Sequence, residues 1–448
     1  MFMKKNLILI LVLLVQHSCF AQNEAASIDT LLNAYNSLGQ FNGSALVAKN
    51  GTILLNKGYG YRDAETGVLN DEHSIYQLGS VTKQFTSAVI LKLQAENKLS
   101  VSDKLNKYFP DYPKGDSITI KALLTHTSGI YNYTNDENFM KNEITKPKSR
   151  EQMMALFENK PLDFSPGTSW SYSNSGYSML GYIIEKVAHT SYEQAIRNFI
   201  FSPLKMTHSG FDFTGLKSPN KTIGYFVLNG HDTARAPIVD STISFSAGAI
   251  YSTTGDLYKW SQALENNTIL TASQQNEAYM PVKNNYGYGW EIDSIDGKRR
   301  LFHGGGIPGY ITIISRVPAD DVTIILLSNA SDQTIGKISN SIYAILYHQK
   351  YEFPEERKAI SLDAPTMKQY GGEYEIRPGL LVTINARDSV LIANPTGQSA
   401  KTLYAEKKDF FFEKEEDVQL YFTRNDKNEV DGFVFHQSGQ EIKCKKIK

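Results

Sequence analysis

Gly79-Ser80-Val81-Thr82-Lys83-Gln84-Phe85-Thr86-Ser87-Ala88-Val89-Ile90-Leu91-Lys92-Leu93 sets a serine three residues ahead of a lysine, at the head of a run that is apolar nearly all round from Phe85. Such a run predicts a helix buried in a domain and opening near Ser80. Residues three apart share a helix face, so the Ser80 hydroxyl and the Lys83 amine would meet one turn apart. A buried ammonium loses solvation: it acts as a base when neutral, or lowers the pKa of a neighbouring hydroxyl while charged. The helix N-terminus adds backbone N–H groups and the positive end of the dipole. The pattern predicts an activated serine, although the spacing alone also describes an N-cap serine beside a solvated lysine. Two further matches, Ser202 to Lys205 and Ser218 to Lys221, have proline after the serine and lead into no apolar run.

Two other segments carry chemistry. Ser171-Tyr172-Ser173-Asn174-Ser175-Gly176 lies between the Pro166-Gly167 turn and a helical run from Tyr177 to Val187. A phenol is a poor base, but a cationic lysine beside it favours the phenolate, and it can then shuttle protons; Asn174 could hold the lysine or a substrate amide carbonyl. In Phe302-His303-Gly304-Gly305-Gly306-Ile307-Pro308-Gly309 the glycines would let a substrate lie against the backbone and leave N–H groups free for an oxyanion. Gly304, Gly306 and Gly309 match the dinucleotide-binding spacing, but a strand-like run follows where that motif needs a helix. His303 to Gly306 is similar to a lipase oxyanion segment, yet no Gly-x-Ser-x-Gly occurs in the chain, which argues against an α/β-hydrolase. The nine histidines show no metal-ligand spacing and there is no Walker-type loop, so neither a metal nor a cofactor is expected.

Around these motifs the order is an amphipathic helix (Ile28, Leu31, Leu32, Tyr35, Leu38), a hairpin of Ser44 to Ala48 and Thr52 to Lys57 turning at Asn50-Gly51, and a helical middle. Strands follow near Arg300 to His303, Tyr310 to Val317 and Val322 to Ser328, then a helix from about Gln333 to Tyr347. Strands from both ends can join in one antiparallel sheet flanked by helices, with the middle as an all-helical lobe: an α/β domain over 22–350. A linker is expected over 351–365. Strand-like runs at Leu380 to Ile384, Ser389 to Ala393, Phe410 to Phe412, Gln419 to Phe422 and Gly432 to His436 predict a small all-β barrel or sandwich over 366–448.

The 448 residues are 41% hydrophobic with a formal net charge of −1, which excludes disorder and leaves no electrostatic footprint for nucleic acid. Lys4 and Lys5, the apolar stretch Leu7 to Val15 and the small Ala21 predict a secretory signal peptide over 1–21, hence a secreted or periplasmic protein. No later segment is long and apolar enough to be a transmembrane helix. Lipoprotein anchoring through Cys19 is the weaker alternative, because Gln16 and His17 precede it. Without Cys19 only Cys444 remains, so an internal disulfide is excluded and the core must hold the fold.

Taken in order, Ser80-Val81-Thr82-Lys83, Tyr172-Ser173-Asn174 and His303-Gly304-Gly305 make the chain resemble the penicillin-recognising serine hydrolases: class C β-lactamases, D-Ala-D-Ala carboxypeptidases and related esterases. Leu123-Leu124-Thr125-His126-Thr127-Ser128-Gly129-Ile130 and Ser246-Ala247-Gly248-Ala249-Ile250-Tyr251-Ser252 extend the likeness, which covers about 26 to 348. The resemblance implies a β-lactamase/transpeptidase-like fold and an acyl-enzyme on Ser80, with Lys83 and Tyr172 as the proton-transfer pair. It also implies substrate contacts from Asn174, His303, Gly305 and Gly306, and an oxyanion hole from the N–H groups of Ser80 and Gly306. His126 is expected to order a loop. Many β-lactamases have Lys-Thr-Gly at His303-Gly304-Gly305; a histidine, only partly charged near neutrality, favours peptidase or esterase activity on a small-molecule or peptide substrate. The alternative is a catalytically silent binding or sensor protein for cell-wall peptides. The C-terminal module resembles the lipocalin-like extensions of some of these hydrolases, and oligomeric state stays open.

Overall fold

The computed structural model describes residues 23–228, 233–331, 335–354, 357–377, 380–396, 400–413, 418–437 and 440–448. The expected signal peptide, with Cys19, lies outside them. The chain divides into two units, Met1–Phe353 and Pro354–Lys448; the division falls within 351–365.

Asn50 and Gly51 both take positive φ (52° and 71°), the geometry whose twist matches a two-residue hairpin. They join β1 (Gly43–Lys49) to β2 (Thr52–Tyr59). The later strands are β3 (Glu291–Ile295), β4 (Lys298–Ile307), β5 (Tyr310–Val317) and β6 (Val322–Ser328). All pair antiparallel in the order β2-β1-β6-β5-β4-β3, so the two ends of the domain meet where β1 adjoins β6. Strand alternation sends Ala45 and Val47 of β1, with Ile324 and Leu326 of β6, to one face; Leu46, Ile325 and Leu327 go to the other. Helix α1 (residues 23–37) and α5 (Ile335–Leu346) cover the first face with Ile28, Leu31, Leu32, Ile338 and Ile342. The second face packs on the helical lobe, whose elements include α2 (Thr82–Ala95), α3 (Asn174–Ala188) and α4 (Ser241–Gly248). Helix α2 is buried from Thr82 to Leu91, as its uninterrupted apolar run requires.

In the second unit eight antiparallel strands, from Gly372 to Lys446, close into an up-and-down barrel. Tyr370, Tyr374, Phe411, Phe422 and Phe433 pack its interior. Three of the strands, Gly372–Arg377, Lys401–Lys407 and Gln440–Lys446, were not expected from sequence. Gly372, Lys401, Lys407 and Lys446 fall on the same alternation as the inward Tyr374, Leu403, Ala405 and Cys444, which weakens the period-2 apolar signal. Among the described residues no helix is long and apolar enough to cross a membrane.

Candidate active site

Ser80 sits in a single 3-10 turn, Gly79–Val81, that runs into α2. The turn packs on β4. Gly79 has φ +55°, and a Cβ there would stand 2.9 Å from the Gly306 nitrogen; a Cβ on Gly305 would overlap the Leu78 carbonyl, which already accepts from Thr312 Oγ1 at 2.7 Å. The absent Gly305 side chain therefore makes room for the chain's own backbone, and the open space lies at Gly306, where a Cβ would meet nothing within 4 Å. β3 pairs with β4 only as far as Glu291 opposite Phe302. Beyond it the outer edge of β4 has no strand partner among the described residues; Gly304 N–H faces that edge, with Glu291 at its head. Because alternate residues of a strand present N–H to the same edge, Gly306 N–H faces it too, toward the Ser80 turn.

Lys83 is fully buried. Its Nζ lies 3.0 Å from Ser80 Oγ, 2.8 Å from Asn174 Oδ1 and 2.8 Å from the Ala247 carbonyl. Asn174 is held in turn: its Nδ2 donates to Thr134 Oγ1 and its backbone N–H to Asn132 Oδ1. The Ala247 carbonyl is delivered by a kink in α4 at Phe245, a non-glycine residue at φ 37°, ψ −134°, pinned by stacking on Tyr182. Asn174 Oδ1 and the Ala247 carbonyl can only accept, so they engage two N–H groups. The third position on Nζ faces Ser80. It is an N–H when the amine is charged and a lone pair when it is neutral. Burial holds the Lys83 pKa well below its usual value, which favours the lone pair.

The Tyr172 phenol interacts with Ser80 by a side-chain hydrogen bond, and Lys83 Nζ stands over the Tyr172 ring, 4.7 Å from its centroid. Burial raises the phenol's pKa above its ordinary value and outweighs the bond to Ser80. This corrects the expectation of a favoured phenolate: desolvation wins, and Tyr172 is a neutral phenol. His126 stacks on Tyr172 (centroids 4.2 Å apart), and its Nδ1 accepts from the Ser173 N–H at 3.1 Å. It thereby fixes the segment that carries both Tyr172 and Asn174.

His303 is buried, with Nδ1 2.5 Å from the Gly304 carbonyl and Nε2 2.8 Å from Tyr286 Oη. A carbonyl only accepts, so Nδ1 carries the proton and Nε2 accepts from the phenol. Burial, with the nearby Lys83, lowers the ring's pKa to about 3. The partial positive charge expected of His303 is therefore absent near neutrality. The structure brings Ser80, Lys83, Tyr172 and Asn174 together and sets Gly306 opposite them, while His303 and Gly305 are engaged by the protein itself. Tyr286, Glu291, Phe245 and the Ala247 carbonyl were not found from sequence. The one available signal was the aromatic-glycine alternation Tyr286-Gly287-Tyr288-Gly289-Trp290 ahead of β3.

Comparison with known proteins identifies the family. A family model described as Beta-lactamase matches residues 28–343, and one described as Domain of unknown function (DUF3471) matches 356–446. A penicillin-binding protein of Bacillus subtilis (strain 168) is 28% identical over 453 residues, spanning 95% of this chain and 100% of its own. PbpX of the same organism, also named as a penicillin-binding protein, is 32% identical over 308 residues, 68% of this chain and 75% of its own. Among solved structures, the octameric penicillin-binding protein homologue from Pyrococcus abyssi superposes with a TM-score of 0.67 at 22% identity, covering 94% of this chain and 99% of that one. A D-stereospecific amidohydrolase from Streptomyces sp. gives a TM-score of 0.61 at 25% identity, covering 72% and 99%. The chain belongs to the Beta-lactamase family of penicillin-recognising serine hydrolases.

Proposed function

We propose that the protein is an exported serine hydrolase that works through an acyl-enzyme on Ser80, acting on D-amino-acid peptides, esters or β-lactams. The observation that carries this reading is the 3.0 Å contact between Lys83 Nζ and Ser80 Oγ, with the other two directions on Nζ fixed by acceptors. Neutral Lys83 takes the Ser80 proton as Oγ bonds to the substrate carbonyl carbon, and the carbonyl electron pair moves onto oxygen. The N–H groups of Ser80 and Gly306 receive that oxyanion; each such donor is worth about 10²–10³ in rate. When the tetrahedral centre collapses, Tyr172, a neutral phenol in reach of Ser80, gives its proton to the departing group and regains one from Lys83. Water then repeats the sequence on the acyl-enzyme, and Asn174 keeps Lys83 aimed throughout.

The test is hydrolysis of a panel of D-Ala-D-Ala peptides, short acyl esters and a chromogenic cephalosporin by the parent and by Ser80→Ala. Turnover of at least one class, reduced about 10³-fold or more in Ser80→Ala, is expected. A folded parent inert to the whole panel would contradict the proposal.

A further inference from the structure

We propose that the open edge of β4 ends in a cation-binding subsite, the Glu291 carboxylate, and that the preferred substrate carries a primary ammonium rather than a carboxylate at that end. The inference rests on the acyl-enzyme reading of Ser80. Two structural facts and one distance lead to it. β3 stops at Glu291, opposite Phe302, and Glu291 Oε1 lies 4.0 Å from His303 Nδ1, so the carboxylate stands at the head of the free edge of β4. A substrate placed along the free edge, with its reacting oxygen at Gly306 N–H, therefore abuts Glu291 two strand residues away, roughly 7 Å. The Glu291 side chain is 44% exposed, so a ligand can reach it.

The groups around Glu291 do not cancel its charge. His303 Nδ1 lies 4.0 Å away, but its proton is committed to the Gly304 carbonyl and its Nε2 to Tyr286, so it offers no further donor. Arg300, a cation that acts on Glu291, gives its Nε and Nη2 to Asp293, itself an acid felt by Glu291. Lys83 is buried, its two N–H groups are committed to Asn174 Oδ1 and the Ala247 carbonyl, and its third direction faces Ser80. The field of Glu291 reaches Tyr172 and Tyr286, where it opposes ionisation of both phenols. A substrate carboxylate at this end would meet a carboxylate with no free donor on His303, whereas an ammonium would meet a charge partner.

Two rigid ester series test the inference, each with ammonium, neutral and carboxylate members. In one the charge is on the departing side: 3-(aminomethyl)phenyl, 3-ethylphenyl and 3-carboxyphenyl acetates. In the other it is on the acyl side: phenyl esters of 4-(aminomethyl)benzoic, 4-methylbenzoic and terephthalic acids. In at least one series kcat/KM should favour the ammonium over the carboxylate member by about tenfold or more at low salt. That ratio should collapse toward unity in Glu291→Gln, which keeps the side chain's shape and removes its charge. The responding series identifies the end of the substrate that lies along Gly304. A ratio unchanged in Glu291→Gln, or a parent that prefers the carboxylate member in both series, overturns the inference. Should that variant fail to fold, the order of rates in the parent decides alone. Ser80-dependent turnover without charge preference leaves the acyl-enzyme reading standing, and absence of any Ser80-dependent turnover removes both.

Discussion

At Lys83 two opposing effects act on one amine, and burial prevails. A protonated lysine could satisfy all three acceptors, yet full desolvation holds its pKa well below the usual lysine range. The free base is the form that can take the Ser80 proton. kcat/KM should therefore fall as pH drops through the depressed Lys83 pKa and recover above it. Lys83→Arg, whose guanidinium stays charged, should lose about 10³-fold or more. Retained activity in Lys83→Arg would assign the base elsewhere. His303 supplies the complementary result: with its pKa lowered to about 3, it is already neutral at pH 5. KM for an acidic substrate should thus show no histidine-type inflection between about pH 5.5 and 7.5, and an inflection that disappears in His303→Gln would contradict the neutral tautomer. Tyr286→Phe leaves Nε2 without its donor inside the protein and should cost about 1–3 kcal/mol of stability, measured by denaturant unfolding.

At the scale of elements, the meeting of the Gly79–Val81 turn with β4 depends on backbone approaching backbone. Gly305→Ala would force a methyl into the Leu78 carbonyl, pushing the serine turn away from Gly306. It should lower the melting temperature, at a cost of about 1–3 kcal/mol, and reduce kcat more than it raises KM. Wild-type kcat in Gly305→Ala would show that the approach is not needed for catalysis. The same elements show how far a sequence can be read. The hairpin at Asn50-Gly51, the strands β5 and β6 and the buried helix α2 are local patterns, and each announces itself by period or turn residue. Ser80, Lys83, Tyr172 and Asn174 were legible because each sits at a helix start with a marked spacing. Glu291 and Tyr286 were not, because their roles follow from where β3 stops along β4, a matter of register between strands. The neutrality of His303 was equally hidden: burial, which no residue spacing encodes, determines its charge.

For the molecule as a whole, three apolar clusters among the described residues hold the two units together separately. The third cluster lies entirely within the barrel unit and shares no residue with the two on either side of the six-stranded sheet. Phe422 is at its centre, in ring contact with Tyr370, Tyr374, Phe411 and Phe433. Calorimetry should therefore resolve two transitions, and Phe422→Ala, a loss of about 3–5 kcal/mol, should shift only one of them. A single transition that moves as a unit would mean that the clusters melt cooperatively. The central claim nevertheless concerns one oxygen. Intact-protein mass spectrometry after incubation with a fluorophosphonate or β-lactam probe, followed by peptide mapping, tests it most directly. The account predicts one stoichiometric adduct on the peptide carrying Ser80 and none in Ser80→Ala. An adduct on another residue, or no adduct on folded parent protein, would contradict it.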